Sequence, residues 1–191
     1  MHLDMWQGHQ VHLRALHTGD AETIALSHLD SDGWRHGDDV KPPVAIETVM
    51  ANIASKIQPK DDNIWLAVVN STGEMVGNIN VHGADPRHAG FEYGIHILRE
   101  HRMLGYASDA IRLLMRYYFE ELSYQRMWST VYEFNRPSIE LHKRLGFVEE
   151  GRLRRSVRTG GKYWDEFVFG ILADEAMAQI EQLPPLPSLN S

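Results

Sequence analysis

The feature that most constrains this chain is a junction near its middle, where a strand-like segment runs through Arg102-Met103-Leu104-Gly105-Tyr106-Ala107 into an amphipathic run. Apolar residues recur at Ala107, Ala110, Ile111, Leu114, Met115, Tyr118 and Leu122, the three-to-four spacing of a helix with one buried face. The first turn of such a helix leaves backbone N–H groups without partners, and its dipole adds positive charge there. Gly105 lets the main chain approach a bulky group, and Ala107 keeps the entrance clear. A pyrophosphate fits a site of this kind. The same spacing also suits an ordinary strand-to-helix turn, and taken alone it leaves both readings open. The chain has no G-x-x-x-x-G-K-[ST] and no G-x-G-x-x-G, which excludes a P-loop and argues against a dinucleotide-binding fold.

Around the junction the pattern alternates between strand and helix. Residues 10–16 alternate polar and apolar side chains, a strand signature, and Asp20 is placed to cap a helix over 20–29. Residues 31–43 hold Gly33, Gly37, Pro42 and Pro43 and are expected to form a loop; 44–57 has helical spacing through Ile46, Val49, Met50, Ile53 and Ile57. Strands over 64–69 and 74–81, joined at Asn70-Ser71-Thr72-Gly73, predict a hairpin, and Asp85-Pro86-Arg87-His88 predicts another turn. A strand over 91–98 leads into the junction. After it come a strand (126–134) and a short helix (137–145) closed by Gly146. Two strands (147–157 and 162–171) then flank the Thr159-Gly160-Gly161 turn, and a helix (173–182) ends the ordered chain. Leu183 onward is expected to be a loose tail, giving a domain over 1–183 and a tail over 184–191. With 191 residues there is enough chain for one domain and too little for two. The expectation is one α/β (α+β) domain around a single sheet.

Composition narrows function by exclusion. The net charge of −7 argues against a dominant nucleic-acid role, which usually needs a basic stripe. No apolar run approaches the roughly 20 residues that span a bilayer, and the N-terminus carries no signal-peptide pattern. Cysteine is absent, which excludes disulfides, thiolate-bound metals and a cysteine acyl-enzyme and fits a cytoplasmic location. The 11 histidines fall in no ligand motif and are expected to be scattered on the surface, with no metal site.

The context of the junction carries a resemblance. Phe91-Glu92-Tyr93-Gly94-Ile95 precedes it; Asn135-Arg136-Pro137-Ser138 and Leu141-His142-Lys143-Arg144-Leu145-Gly146-Phe147 follow. Together with an intact [Q/R]-x-x-G-x-[G/A] at 102–107, these resemble the GNAT superfamily of N-acetyltransferases over residues 10–180. Glu150-Gly151-Arg152-Leu153-Arg154 and Gly161-Lys162-Tyr163-Trp164-Asp165 are similar to its RimJ/RimL-like branch. The resemblance implies a mixed, mostly antiparallel sheet of about six to seven strands, splayed at its centre and flanked by helices. It implies acetyl-CoA as cofactor and direct acetyl transfer to a primary amine in a ternary complex. By the same resemblance Ile95 and Ile97 pair with the pantetheine arm, the amides of Met103 through Ala107 (Leu104, Gly105 and Tyr106 between them) hold the pyrophosphate with Arg102 opening the cofactor motif, and Asn135 contacts the cofactor. Asn135 is also placed to cap the helix that follows.

Proton handling supplies the candidate catalytic residues. Only a neutral amine attacks a thioester. Deprotonating a lysine-like amine (pKa about 10.4) at pH 7 costs about 4.6 kcal/mol, and an α-amino group much less. Glu92, on one strand face with Gly94 and His96, is the candidate base or else a structural glutamate. Many family members carry a tyrosine acid where this chain has His142, so His142 is either the proton donor or a solvent-facing helix residue. Ser138 is the second candidate acid, or simply a first-turn residue. Trp34 and Arg35 are candidate substrate contacts, with local packing the alternative for Trp34. Arg152, Arg154, Arg155 and Arg158 form a solvated strand edge or a contact for acidic groups. Three functions remain: acetylation of a protein N-terminus, acetylation of a small amine, or an acetyl-CoA-binding module without turnover. The chain is expected to act as a monomer or homodimer.

Overall fold

Seven strands assemble into one sheet in the computed structural model, which describes residues 4–37, 40, 42–56 and 61–186. They are β1 (Val11–Ala15), β2 (Trp65–Asn70), β3 (Met75–Asp85), β4 (Gly90–Ile97), β5 (Arg126–Tyr132), β6 (Val148–Thr159) and β7 (Lys162–Leu172), in the order β1-β2-β3-β4-β5-β7-β6. The helices are α1 (Ala21–Ser27), α2 (Ser31–Arg35), α3 (Ile46–Lys56), α4 (Tyr106–Arg116), α5 (Arg136–Arg144) and α6 (Ala173–Ile180). All strand pairs are antiparallel except β4 with β5. The expected single α/β domain with a mixed sheet is therefore what forms.

The parallel pair places the site. β4 and β5 are in register only at Gly90↔Arg126, Phe91↔Met127 and Glu92↔Trp128. Past Glu92 the two strands part, and the edge of β4 from Tyr93 to Ile97 has no strand partner among the described residues. Open backbone groups at the middle of a sheet are costly unless something pairs with them, so this notch is a place for a ligand.

The two sheet faces are covered unequally. On one face α4 and α6 bury Val68, Ile79, Phe91, Ile111, Leu114, Met115, Tyr118 and Phe169 in the main core. Each large aliphatic side chain shut away there contributes roughly 1.5–3 kcal/mol. On the other face α1 and α3 cover β1 and β2 through Ile24, Val49, Ile53, Ala67 and Val69. The β3–β4 part of that face is polar, carrying Asn78, Asn80 and His82 opposite His96, Gly94 and Glu92. An apolar helix laid over it would bury those groups unpaired.

Several elements depart from expectation. The 31–43 segment contains α2, because the Asp30 carboxylate accepts from Gly33 N (3.2 Å) and caps a helix that glycine content alone argues against. Residues 38, 39 and 41 of that segment lie outside the described residues, as does Ile57 at the end of the helix expected over 44–57. Asp20 does not cap α1. Its carboxylate is taken by Arg14 (2.8 Å to each oxygen) and His17 N, and a 3-10 turn over Thr18–Asp20 leads into the helix. The junction helix ends at Arg116 and passes into a π-helical turn, Tyr117–Glu121. Leu183 is buried and the Pro184 carbonyl accepts from Arg116 Nη1 (3.0 Å), so the chain is held where a loose tail was expected to start; 187–191 lie outside the described residues.

Candidate active site

The junction builds an anion cradle. Met103 (φ 64°) and Gly105 (φ 90°) both take left-handed backbone conformations, turning the chain sharply into α4. Gly105 is favoured by that left-handed backbone, and a side chain there would also displace the end of Gln10, whose Oε1 it would meet at 2.8 Å. The first amide answered by a helical carbonyl is that of Asp109, to Gly105 (3.2 Å), so the turn before it presents its N–H groups outward. Met103 and Leu104 hold their side chains in solvent, 83% and 51% exposed, and leave the backbone open. These features suit an anion beside the β4–β5 notch, where the strand edge is open.

Arg102 is committed elsewhere. Its guanidinium donates to the Ile97 carbonyl through Nε (3.0 Å) and to Asp30 Oδ2 through Nη2 (2.5 Å). Arg99 also binds Asp30. Burial would raise the Asp30 carboxyl, but hydrogen bonds from Arg99, Gly33 N and Arg102 hold it well below the usual carboxylate range. Asp30 thereby ties α2 to the start of the cradle. Arg102 acts as a clamp that joins the end of β4 to Asp30.

A cavity of about 420 Å³ opens through the notch. Its front wall is the polar stripe of β3 and β4: Asn78, Asn80, His82, Glu92, Gly94 and His96, with Trp34 and His36 arching over from α2. Glu92 is part-buried, and its Oε2 lies 3.3 Å from His82 Nε2 at the more exposed mouth. Trp34 is stacked between His28 (4.4 Å) and His96 (5.1 Å) and donates through Nε1 to the Ser27 carbonyl (2.8 Å). Burial pushes the His96 imidazole down to about 4, with the nearby Arg102 charge adding to the effect. Arg35 is exposed at the end of α2 and does not line the cavity.

The back wall comes from β5 and α5: Ser129, Thr130, Asn135, Ser138 and His142, together with Tyr93 and Ile95 of β4. Asn135 caps α5, its Oδ1 accepting from Ser138 N (3.2 Å), and its Nδ2 donates to the His36 carbonyl (2.8 Å). His142 is only 2% exposed, which corrects the solvent-facing reading. Its Nδ1 meets the Ser138 carbonyl at 2.8 Å, and a carbonyl only accepts, so that nitrogen carries the proton. Nε2 then accepts from the Tyr93 hydroxyl (2.8 Å). Burial lowers the His142 pKa to about 4, against the opposing hydrogen bond to Ser138, and burial raises the Tyr93 phenol. The imidazole is thus neutral near pH 7, with its one proton directed at a backbone carbonyl.

Of the residues singled out from sequence, Trp34, Glu92, Ile95, Asn135, Ser138 and His142 converge on this cavity, and 102–107 frame the cradle beside it. Ile97 sits at the far end of β4 with its carbonyl already bound by Arg102. Within the basic run, Arg152 binds Asp165 (2.6 Å) and Glu133, and Arg158 lies over Tyr163. Sequence reading missed Asn78, Asn80, His82, Tyr93 and the Asp30 clamp. The signal for the first three was present as polar residues at period two inside an apolar strand. Nor are the histidines merely scattered, since His36, His82, His96 and His142 all line the cavity. Among the described residues no cluster of three or more His, Asp or Glu is arranged to hold a metal, and no helix is long and apolar enough to cross a membrane.

Comparison with known proteins agrees with this geometry. Residues 10–148 match the family model described as an acetyltransferase (GNAT) domain. The chain is 33% identical over 175 residues to the SPbeta prophage-derived uncharacterized N-acetyltransferase YokL of Bacillus subtilis (strain 168), covering 92% of this chain and 97% of that one. It is 28% identical over 112 residues to the spermidine N(1)-acetyltransferase of Escherichia coli (strain K12), covering 59% of this chain and 60% of that one. Its fold superposes on spermidine N-acetyltransferase from Vibrio cholerae in complex with CoA and spermine, with a TM-score of 0.80 at 22% identity over 88% of this chain and 98% of that one. The chain belongs to the GNAT family and is an acetyl-CoA-dependent N-acetyltransferase.

Proposed function

We propose that this protein acetylates a small primary amine bound against the polar stripe of β3 and β4. The observation that carries the reading is the charge of the cavity. Among the described lining residues there is no Lys or Arg, and Glu92 is the one carboxylate. A single negative group in a part-buried polar pocket favours an ammonium ion entering from solvent. The similarity to spermidine N(1)-acetyltransferase supports a small acceptor. A protein N-terminus is the competing acceptor, as the RimJ/RimL-like motifs imply, but those motifs lie on the β6–β7 hairpin and contribute nothing to the cavity lining.

Acetyl-CoA, when bound, supplies an acyl carbon with a thiolate leaving group. Glu92 takes a proton from the bound ammonium, directly or through water, so that the nitrogen lone pair forms the new C–N bond as the C–S bond breaks. His82, 3.3 Å from that carboxylate and open to solvent, passes the proton outward. Once the C–N bond forms, the nitrogen holds one proton too many; Ser138, a back-wall residue, is placed to take that proton as it gives its own to the departing sulfur. His142 supports the wall by holding Tyr93 and Ser138, because its proton is committed to a carbonyl.

Free-thiol release from acetyl-CoA across small amines and N-terminal peptides tests the reading. Small amines are expected to be turned over at least tenfold more efficiently than peptides, and the reverse order would overturn it. Cofactor stabilisation without any turnover would instead favour the binding module. Glu92→Gln is expected to slow strongly basic amines by roughly 10²–10⁴, the usual contribution of a positioned base, and α-amines much less. Equal slowing of both classes would remove Glu92 as the base.

A further inference from the structure

Two side-chain atoms in the front wall have no hydrogen-bond partner among the described residues: Asn80 Oδ1 and His96 Nε2, both shut away from solvent. A buried polar atom left unpaired typically costs about 1–3 kcal/mol. Two of them on one stripe of one cavity is a costly arrangement for an empty protein and a natural one for a liganded protein.

The backbone explains why they lie together. Asn80 is opposite Gly94, and a side chain at Gly94 would meet Asn80 Oδ1 at 2.8 Å, so the missing Cβ is what lets the amide lie across β4. His96 stands opposite Asn78 and is therefore diagonal to Asn80. Diagonal positions of this kind are about 7–8 Å apart, a gap that one small group between two side chains spans. Trp34 stacks on the imidazole, and the last torsion of an asparagine side chain is a broad one.

The chemistry of the pair selects the ligand group. Neither atom carries charge, the Arg102 cation acts on His96, and the nearby Asp30 carboxylate is already held by two guanidiniums. A second ammonium placed here would be buried without a counter-charge. A hydroxyl both gives and takes, so it satisfies an amide oxygen and an imidazole nitrogen whichever tautomer His96 adopts.

Given transfer to a small amine, on which this rests, we propose that Asn80 and His96 form a hydroxyl-binding subsite and that the acceptor is a hydroxylated amine. Its hydroxyl bridges Asn80 Oδ1 and His96 Nε2, while its amino group lies toward Glu92. That carboxylate is two residues along β4 from Gly94, about 7 Å by the strand rise.

The test compares three matched series on the intact protein by thiol release: amino alcohols of increasing chain length, alkylamines in which a methyl replaces the hydroxyl, and diamines in which a second amine replaces it. The amino alcohol is expected to exceed the matched alkylamine by tenfold or more in kcat/KM, chiefly through KM. Asn80→Ala and His96→Phe, the latter keeping an aromatic ring beneath Trp34, should each bring the ratio of amino alcohol to alkylamine kcat/KM most of the way back to one, the ratio within each variant being the readout. An amino alcohol no better than its alkylamine, or a diamine better than both, overturns the subsite while leaving amine transfer intact. Failure of every amine in all three series takes down the amine reading itself.

Discussion

His142 and His96 make an instructive pair. Both stand in the walls of one cavity, and burial pushes both imidazoles down to about 4. They differ in what their nitrogens meet. His142 has each nitrogen answered, by Ser138 and by Tyr93, and is packed against Phe147 and Phe169. His96 has an unanswered Nε2 and a tryptophan ring lying over it. A buried histidine with a complete set of hydrogen bonds is part of the frame, whereas one with an open nitrogen beside a cavity calls for a separate explanation. Equal burial and equally displaced titration therefore do not imply equal roles.

The largest expected effect that would break this comparison is on stability. His142→Leu removes two hydrogen bonds and leaves the Tyr93 hydroxyl buried without a partner. At about 1 kcal/mol for each bond and about 2 kcal/mol for the orphaned hydroxyl, the loss should be roughly 4 kcal/mol. Urea denaturation monitored by tryptophan fluorescence gives the number directly. A loss below about 1 kcal/mol would mean that His142 is not the structural member of the pair.

Acid should act on both histidines together. In the unfolded chain each imidazole protonates near its model value of 6.5, and in the folded chain near 4. Between those values the unfolded state binds more protons, so stability is complete above pH 6.5 and falls as pH drops toward 4. Each unit of difference is worth about 1.4 kcal/mol, which makes the fall of the order of 3 kcal/mol per histidine. Urea midpoints measured across this range should show it, and His96→Phe should flatten the profile by about half. A profile that His96→Phe leaves unchanged would show that His96 is not buried neutral.

How much of this was legible in the sequence follows from range. The junction at Arg102–Ala107, the alternation of strands and helices, and the cap at Asn135 are written in adjacent residues, and they survive folding with small shifts of boundary. The polar stripe is different. Asn78, Asn80 and His82 show period two on one strand, and Glu92, Gly94 and His96 show it on the next; only the register of the β3–β4 hairpin says that they face one another. Asp30 gives no local sign of its role, because its partners Arg99 and Arg102 stand 69 and 72 residues away. His142 carries the same lesson: helical spacing does not say which side of α5 meets Tyr93, and the imidazole proved buried.

A smaller effect should follow from loosening the clamp that brings Trp34 to His96. Asp30→Asn keeps an oxygen to cap α2 but gives up the charge facing Arg99 and Arg102. A stability loss of about 1–2 kcal/mol is expected, in the range for charge-assisted hydrogen bonds. The more telling readout is kinetic. Because α2 carries Trp34 over the front wall of the cavity, where the acceptor is proposed to bind, the amine KM should rise several-fold with kcat within about twofold. Equal falls in kcat and kcat/KM would place Asp30 nearer the chemistry than the clamp geometry does.

The smallest expected effect is the sharpest test of the comparison. His96→Phe exchanges an imidazole that has lost water without gaining a partner for a ring that needs none. Removing an unpaired buried nitrogen is favourable, and fitting a larger ring beneath Trp34 is unfavourable, so the two should nearly cancel at neutral pH. Stability at pH 7.5 should stay within about 1 kcal/mol of the parent, against the roughly 4 kcal/mol lost at His142. Two buried histidines of one cavity would then differ several-fold in what they contribute to folding, the difference tracking their hydrogen bonds and not their exposure. Should His96→Phe destabilise as much as His142→Leu, Nε2 must have a partner in solution, such as an ordered water bridging it to Asn80. A hydroxyl would then have to displace that water, which predicts a weaker preference for amino alcohols than two vacant partners would give.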